Sequence, residues 1–168
     1  MLSSVNEMED LLASLQKFLR AQHMSAIVET LDLASFVREV LSGFGPDVSV
    51  RAPGGPAVRT YPEPLALALS ALVENAVQFG GRAAVTIEGR ENEWTISIED
   101  EGPGIPPEHF EAILDPFFRL DEARQRNTKG FGLGIPTAHR LMMRFNGGLF
   151  FGVSKAGGLV ARVKVPVV

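Results

Sequence analysis

The sequence predicts an α+β fold with a helical lead-in, on three observations. "AAVTIEGR" and "EWTISIED" alternate apolar and polar residues with period two around a turn at Arg90-Glu91-Asn92, the pattern of a half-buried β-hairpin. Two stretches with helical spacing, about Pro64 to Phe79 and 131 to 145, each run into a glycine pair, Gly80-Gly81 and Gly147-Gly148, which ends a helix well. Near the start, Val5, Met8, Leu12, Leu15 and Leu19 recur at alternating steps of three and four, which is a coiled-coil seam.

Composition narrows the class. With 168 residues, 45% hydrophobic and 21% charged, the chain suits one ordinary globular domain plus an appendage. It has no cysteine, which excludes disulfides and thiolate metal sites. Its net charge of −4 opposes binding to a polyphosphate backbone, so no nucleic-acid partner is expected. No apolar run is long enough to span a bilayer and the N-terminus lacks a basic-then-apolar signal pattern. A soluble chain without direct membrane contact is expected, in a parent protein that a segment before residue 1 can anchor in a membrane.

In order along the chain, residues 3 to 22 read as a helix, with Leu11 and Phe18 widening its apolar stripe. A helix of that length is marginal alone and needs a partner. Residues 24 to 32 read as a connector, and Asp32 can cap a second helix at 33 to 42 with Leu33, Phe36, Val37, Val40 and Leu41 on its apolar face. Gly43-Phe44-Gly45-Pro46 stops it. Short strands are expected at Val48 to Arg51 and Val58 to Tyr61, separated by Pro53-Gly54-Gly55-Pro56. The long helix and the hairpin follow, then a proline- and glycine-rich loop at Gly102 to Pro107 and a short helix near Glu108 to Ile113. A basic loop precedes the helix at 131 to 145, and strands at 149 to 154 and 159 to 166 close the chain.

Three segments carry chemistry. In "KGFGLGIPTA", Gly130, Gly132 and Gly134 allow close backbone approach to a ligand, and the helix that follows offers unpaired amides and a positive dipole end suited to phosphate. No Gly-Lys-Ser/Thr follows, so it is not a P-loop, and Ile135 stands where a dinucleotide fingerprint needs glycine. In "DEGPGIP", Asp100 ends an apolar strand; its carboxylate can accept from an exocyclic amine, which adenine has and guanine lacks at that position. Asp-x-Gly also closes ordinary turns. In "SALVENAVQF", Asn75 sits in an apolar helix, as a helix-packing hydrogen-bonder or as an oxygen ligand for magnesium.

The order and spacing of these segments resemble the catalytic domain of sensor histidine kinases, within the ATPase superfamily that also holds gyrase, heat-shock chaperone and mismatch-repair ATPases. "ALVENAVQF" resembles the N box, "DEGPGIP" the G1 box, "ILDPFFR" the F box and "GFGLGI" the G2 box, so the likeness covers residues 60 to 166. "EMEDLLASLQKFLRAQ" and "ETLDLASFVREVL" are similar to the second helix of the family's dimerisation and phosphoacceptor hairpin and its connector.

The resemblance implies a two-layer α/β sandwich of the histidine kinase, gyrase and chaperone ATPase type: a mixed, mostly antiparallel sheet covered on one face by three helices, with the N-terminal helix protruding. It divides the chain into residues 1–30, hairpin helix and connector, and residues 31–168, the ATP-binding domain. It implies ATP and Mg2+ as cofactors, with Asn75 on the metal and Asp100 on the adenine amine. Gly102, Gly104 and Ile105 would shape the adenine pocket, with Gln78 and Phe79 bordering the nucleotide. Residues 115 to 129 would form a lid hinged at Phe117 and Phe118. Arg126 and Lys129 would reach the phosphates, and Gly130, Gly132, Leu133 and Gly134 would line their side. Glu74 is a candidate general base. Implied partners are ATP or ADP, a response regulator, and a second copy through the N-terminal helix.

Departures matter as much. The family usually has asparagine one turn before Asn75, where Ala71 stands, and a basic residue where Gln78 stands. Val160 is aligned with a last-strand hydroxyl position of the family. The family's target histidine is followed directly by an acidic residue; His23, His109 and His139 precede Met24, Phe110 and Arg140. The acceptor is therefore expected outside this chain. Rival readings are a nucleotide-binding pseudokinase or scaffold, supported by Ala71 and Gln78, and an anti-sigma-factor serine kinase, opposed by the coiled-coil lead-in.

Overall fold

A computed structural model describes residues 2–55, 57–118 and 132–168. A five-stranded mixed sheet runs in the order β2 (Val48–Arg51), β4 (Ala83–Arg90), β5 (Glu93–Asp100), β7 (Leu159–Lys164), β6 (Gly148–Val153). All its pairs are antiparallel except β2 with β4. A separate two-stranded sheet pairs β1 (Glu29–Leu31) with β3 (Val58–Thr60). The helices are α1 (Leu2–Arg20), α2 (Leu33–Leu41), α3 (Pro62–Gly80) and α4 (Gly134–Arg144).

Local chemistry sets the element ends. Asp32 accepts from the Ser35 amide at 3.0 Å and starts α2. Pro62 opens α3, where its missing amide costs nothing, and Gly81 at φ 76° closes it. The β4–β5 hairpin turns on Glu91 and Asn92, with Glu91 left-handed at φ 58°. Asn146, at φ 63°, ends α4, and the Gly147 amide returns to the Met142 carbonyl at 2.7 Å.

The core lies between the sheet and α2, α3 and α4. Leu65, Leu69 and Val73 of α3, with Leu141 and Met142 of α4, are fully buried against Val85, Ile87, Ile96, Ile98 and Val163. Burying each such side chain contributes about 1.5–3 kcal/mol, so this slab dominates the stability. It holds the C-terminal half of α3, the end of β5 and the start of α4 beside one another.

Two expectations change. Residues 29–31 are a strand, not a connector, and pair with β3. β2 joins β4 in parallel, a pairing that needs a long crossover, and α3 supplies it. The short helix after residue 107 is two 3₁₀ turns, Pro107–His109 and Ala112–Leu114. α1 touches the domain only near its C-terminal end. Phe18, Ala21 and Met24 are buried, Arg140 lies 4.5 Å over the Phe18 ring, and Arg144 donates to the Ala21 carbonyl at 3.1 Å. Among the described residues no helix is long and apolar enough to cross a membrane.

Candidate nucleotide site

Asp100 ends β5 on the face that carries Ile96 and Ile98 and is 5% exposed. Burial pushes its carboxyl above the ordinary value of 3.8; amide hydrogen bonds from Gly102 and Leu159 pull the other way, and Glu99 adds to the rise. Both amides donate to the same oxygen, Oδ1, Gly102 at 2.9 Å and Leu159 at 3.1 Å. Oδ2 accepts from none of the described residues. The carboxylate is thus oriented by the backbone with one acceptor left over.

The surrounding glycines explain themselves by close approach. A Cβ on Gly80 would lie 2.7 Å from Asp100 Cβ and 2.8 Å from the Gly102 nitrogen, so the end of α3 presses directly on the G1 loop. Gly102 has the Phe79 carbonyl 2.9 Å from its would-be Cβ, and Gly104 is left-handed at φ 74°. Ile105 is half-buried and packs on the core.

Asn75, Gln78 and Phe79 are half-buried on α3 and lead towards Asp100. Gly134 opens α4 against the Ala71 carbonyl, 3.4 Å from its would-be Cβ. Among the described residues no side chain caps this helix start, and the Leu133 carbonyl accepts from the Thr137 amide at 2.9 Å and hydroxyl at 2.6 Å. The uncapped amides of an α-helix form an anion site by construction. The Phe117 amide donates to the Gly132 carbonyl at 3.1 Å, and Phe117 and Gly132 are both left-handed, at φ 67° and 70°. Phe118 is half-buried on the core, with the His109 ring 6.1 Å away. Glu74 is exposed, its carboxylate 4.0 Å from Lys17 of α1. Arg126, Lys129 and Gly130 lie outside the described residues.

Residues 60–168 match the family model described as histidine kinase-, DNA gyrase B- and HSP90-like ATPase. The chain belongs to this family. Among curated relatives, it is 33% identical over 141 residues to the sensor histidine kinase CpxA of Escherichia coli, and 30% identical over 142 to the sensor histidine kinase GtrS of Pseudomonas aeruginosa. Each alignment covers 83% of this chain but only 30% and 29% of the relative, so the chain spans about a third of their length. In fold, it is similar to the Acinetobacter baumannii histidine kinase AdeS, with TM-score 0.74 at 21% identity, covering 99% of this chain and 81% of that one. It is also similar to full-length ShkA solved with AMPPNP, TM-score 0.79 at 20% identity over 98% and 38% of the two chains. The architecture is that of the ATP-binding catalytic domain of sensor histidine kinases.

Within this ATPase fold the strand register revises one alignment. Val160 pairs with Glu99, on the opposite face from Asp100. The residue beside Asp100 is Leu159, which contributes its amide. Two contributors were not singled out from sequence: Gly80 at the end of α3, and the Ser154–Gly158 turn. The pair Gly157-Gly158 between two strands was the available signal.

Proposed function

We propose that this chain binds Mg·ATP and donates the γ-phosphoryl group to a histidine outside it, as the catalytic part of a two-component sensor histidine kinase. The observation that carries the reading is the Asp100 carboxylate, buried and oriented through Oδ1 with Oδ2 left to accept an adenine amine. Residues 1–30 are read as a hairpin helix with its connector and 31–168 as the ATP-binding domain, in a parent whose kinase part lies in the cytoplasm.

Adenine would lie against Gly102, Gly104, Ile105 and Phe79, and the phosphates would run along α3 past Gln78 towards Leu133 and Gly134. Asn75 offers an amide oxygen there. Among the described residues no group of three or more His, Cys, Asp or Glu side chains could hold a metal. That suits magnesium, which takes few protein ligands and keeps phosphate and water oxygens. Bound there, Mg2+ would neutralise charge on the phosphates. Phosphoryl transfer depends mainly on positioning and charge neutralisation. The α4 amides serve that end, and Arg126, Lys129 and Gly130 would add to them, with Phe118 anchoring the lid. An imidazole nitrogen of the acceptor bonds to the γ-phosphorus as the bond to the ADP oxygen breaks. Glu74, whose exposed carboxylate lies 4.0 Å from Lys17 of α1, would take the ring proton released.

Proposed partners are a response regulator and a second copy of the chain through α1, without nucleic acid or direct membrane contact. A second reading, a nucleotide-binding pseudokinase, draws on Ala71 and Gln78, which bring neither a second amide oxygen nor a charge to the phosphates. Incubation with γ-labelled ATP separates the two. This chain alone should gain no acid-labile label, because none of its histidines precedes an acidic residue. A separate hairpin with a His-Glu or His-Asp pair, taken from the parent protein, should be labelled when the chain is added. A hairpin that stays unlabelled while ATP binds would favour the pseudokinase.

A further inference from the structure

The β6–β7 turn is organised by one buried side chain. Ser154 is 8% exposed, and its Oγ accepts from the Gly158 amide at 2.8 Å. The Ser154 amide donates to the Gly158 carbonyl at 2.8 Å, while the Ser154 carbonyl accepts from Gly157 at 3.0 Å. With that carbonyl occupied by Gly157, the hydroxyl oxygen serves as the acceptor for the Gly158 amide. Gly158 is itself buried, so without Oγ its amide has no water to turn to.

This turn meets the base-recognition loop at backbone level. A Cβ on Gly158 would collide with the Asp100 carbonyl, and one on Gly104 with the Gly157 carbonyl. The next amide along, Leu159, is one of the two that hold Asp100 Oδ1, at 3.1 Å. A short chain of contacts therefore runs from Ser154 Oγ through the Gly158–Leu159 peptide to the carboxylate.

We propose that Ser154 is a positioning residue for base selection: it fixes the 157–159 backbone so that the Leu159 amide aims the Asp100 carboxylate at the base. This rests on the reading of Asp100 as the acceptor of the adenine amine. Ser154 touches no nucleotide; it acts through Gly158 and Leu159.

The test compares ATP with purine riboside triphosphate, which lacks the 6-amine, by calorimetric titration of the whole chain. Ser154→Ala should lower the ratio of the two affinities by about tenfold, the effect of one well-placed buried hydrogen bond. Ser154→Thr, which keeps the hydroxyl, should restore it. Should Ser154→Ala not fold, Ser154→Cys keeps the side chain's shape with a weaker acceptor and should show the same trend. A purely structural role would lower stability, or both affinities together, with the ratio unchanged, and that result overturns the proposal. Asp100→Asn, run in parallel, separates the two levels. If it changes the ratio while the Ser154 variants do not, only the role of Ser154 falls. If Asp100→Asn leaves the ratio untouched, the reading of Asp100 falls and this inference with it.

Discussion

At the scale of one residue, Asp100 sets stability against recognition. Its folded-state pKa is raised, chiefly by burial. Folding therefore favours the neutral acid. Its contribution to stability is fully present below the unfolded value of 3.8 and is lost as pH rises through the higher folded value. The ionised form accepts an adenine amine more strongly than the neutral acid, so ATP affinity should climb over the same window in which stability falls. Asp100→Asn separates the effects. The Gly102 and Leu159 amides keep the side-chain oxygen at the Oδ1 position, which leaves the new NH2 facing the base. Two donors then meet, and ATP should bind roughly ten- to a hundredfold more weakly, a loss of about 1–3 kcal/mol. Inosine triphosphate, with a carbonyl at that place, should lose less. Thermal melting should show the variant gaining on the parent as pH rises from 3.8 through the higher folded value, with the gap closing at the acid end. A variant that melts below the parent at neutral pH would mean that Asp100 is a net stabiliser. Asp100 was legible in sequence because its segment stands in order and spacing with the other boxes; alone, an Asp-x-Gly more often closes a turn. The Leu159 amide that aims it was not, because a backbone donor carries no side-chain signature.

At the scale of elements, α1 is two things in one helix. Its last turn is fixed to the domain by Phe18 and by the Arg20–Glu63 pair at 2.6 Å, while Val5, Met8, Leu12 and Leu19 stand 50%, 65%, 57% and 54% exposed. An exposed ion pair contributes about 0–1 kcal/mol, too little to hold a 19-residue apolar stripe in water. The seam should be met by a second copy, in the manner of a helical bundle. Sedimentation should find self-association that Leu12→Asp with Leu15→Asp abolishes, while ATP affinity is kept, since both residues lie on α1 and the proposed nucleotide contacts on other elements. A parent chain that sediments as a monomer at high concentration would remove the seam as a dimer contact. The same scale shows what patterning conveys. The β4–β5 hairpin was legible because both sides alternate with period two, although the turn read at Arg90-Glu91-Asn92 is only Glu91-Asn92, with Arg90 paired to Glu93. β1 was not: Glu29-Thr30-Leu31 is too short to show a period, and its pairing with β3 is a tertiary decision.

At the scale of the whole molecule, the proposed site would divide into an adenine half and a phosphate half, built from different parts of the fold. The adenine half is backbone-dense: β5, the G1 loop and the 154–159 turn meet at Asp100 with two amides on one oxygen. The phosphate half would rest, by the same proposal, on Asn75 and the start of α4, whose N-cap Leu133 makes no side-chain cap. Ala71 is half-buried there beside Gly134 and offers only its backbone carbonyl, and Gln78 carries no charge. Each missing charge-assisted hydrogen bond is worth roughly 1.5–3 kcal/mol, less where solvent remains. The basic residues Arg126 and Lys129 lie outside the described residues; by the proposed reading they would add cations to this half. The balance favours the base over the terminal phosphate, so ADP should bind about as well as Mg·ATP. Ala71→Asn adds an amide oxygen one turn before Asn75 and Gln78→Lys adds a cation, so each should favour Mg·ATP without improving ADP. Paired titrations of ADP and a non-hydrolysable ATP analogue, with and without magnesium, on the parent and both variants, measure this directly. A parent that already prefers the magnesium triphosphate by about a hundredfold, some 2.7 kcal/mol, would place the phosphate contacts on residues other than these.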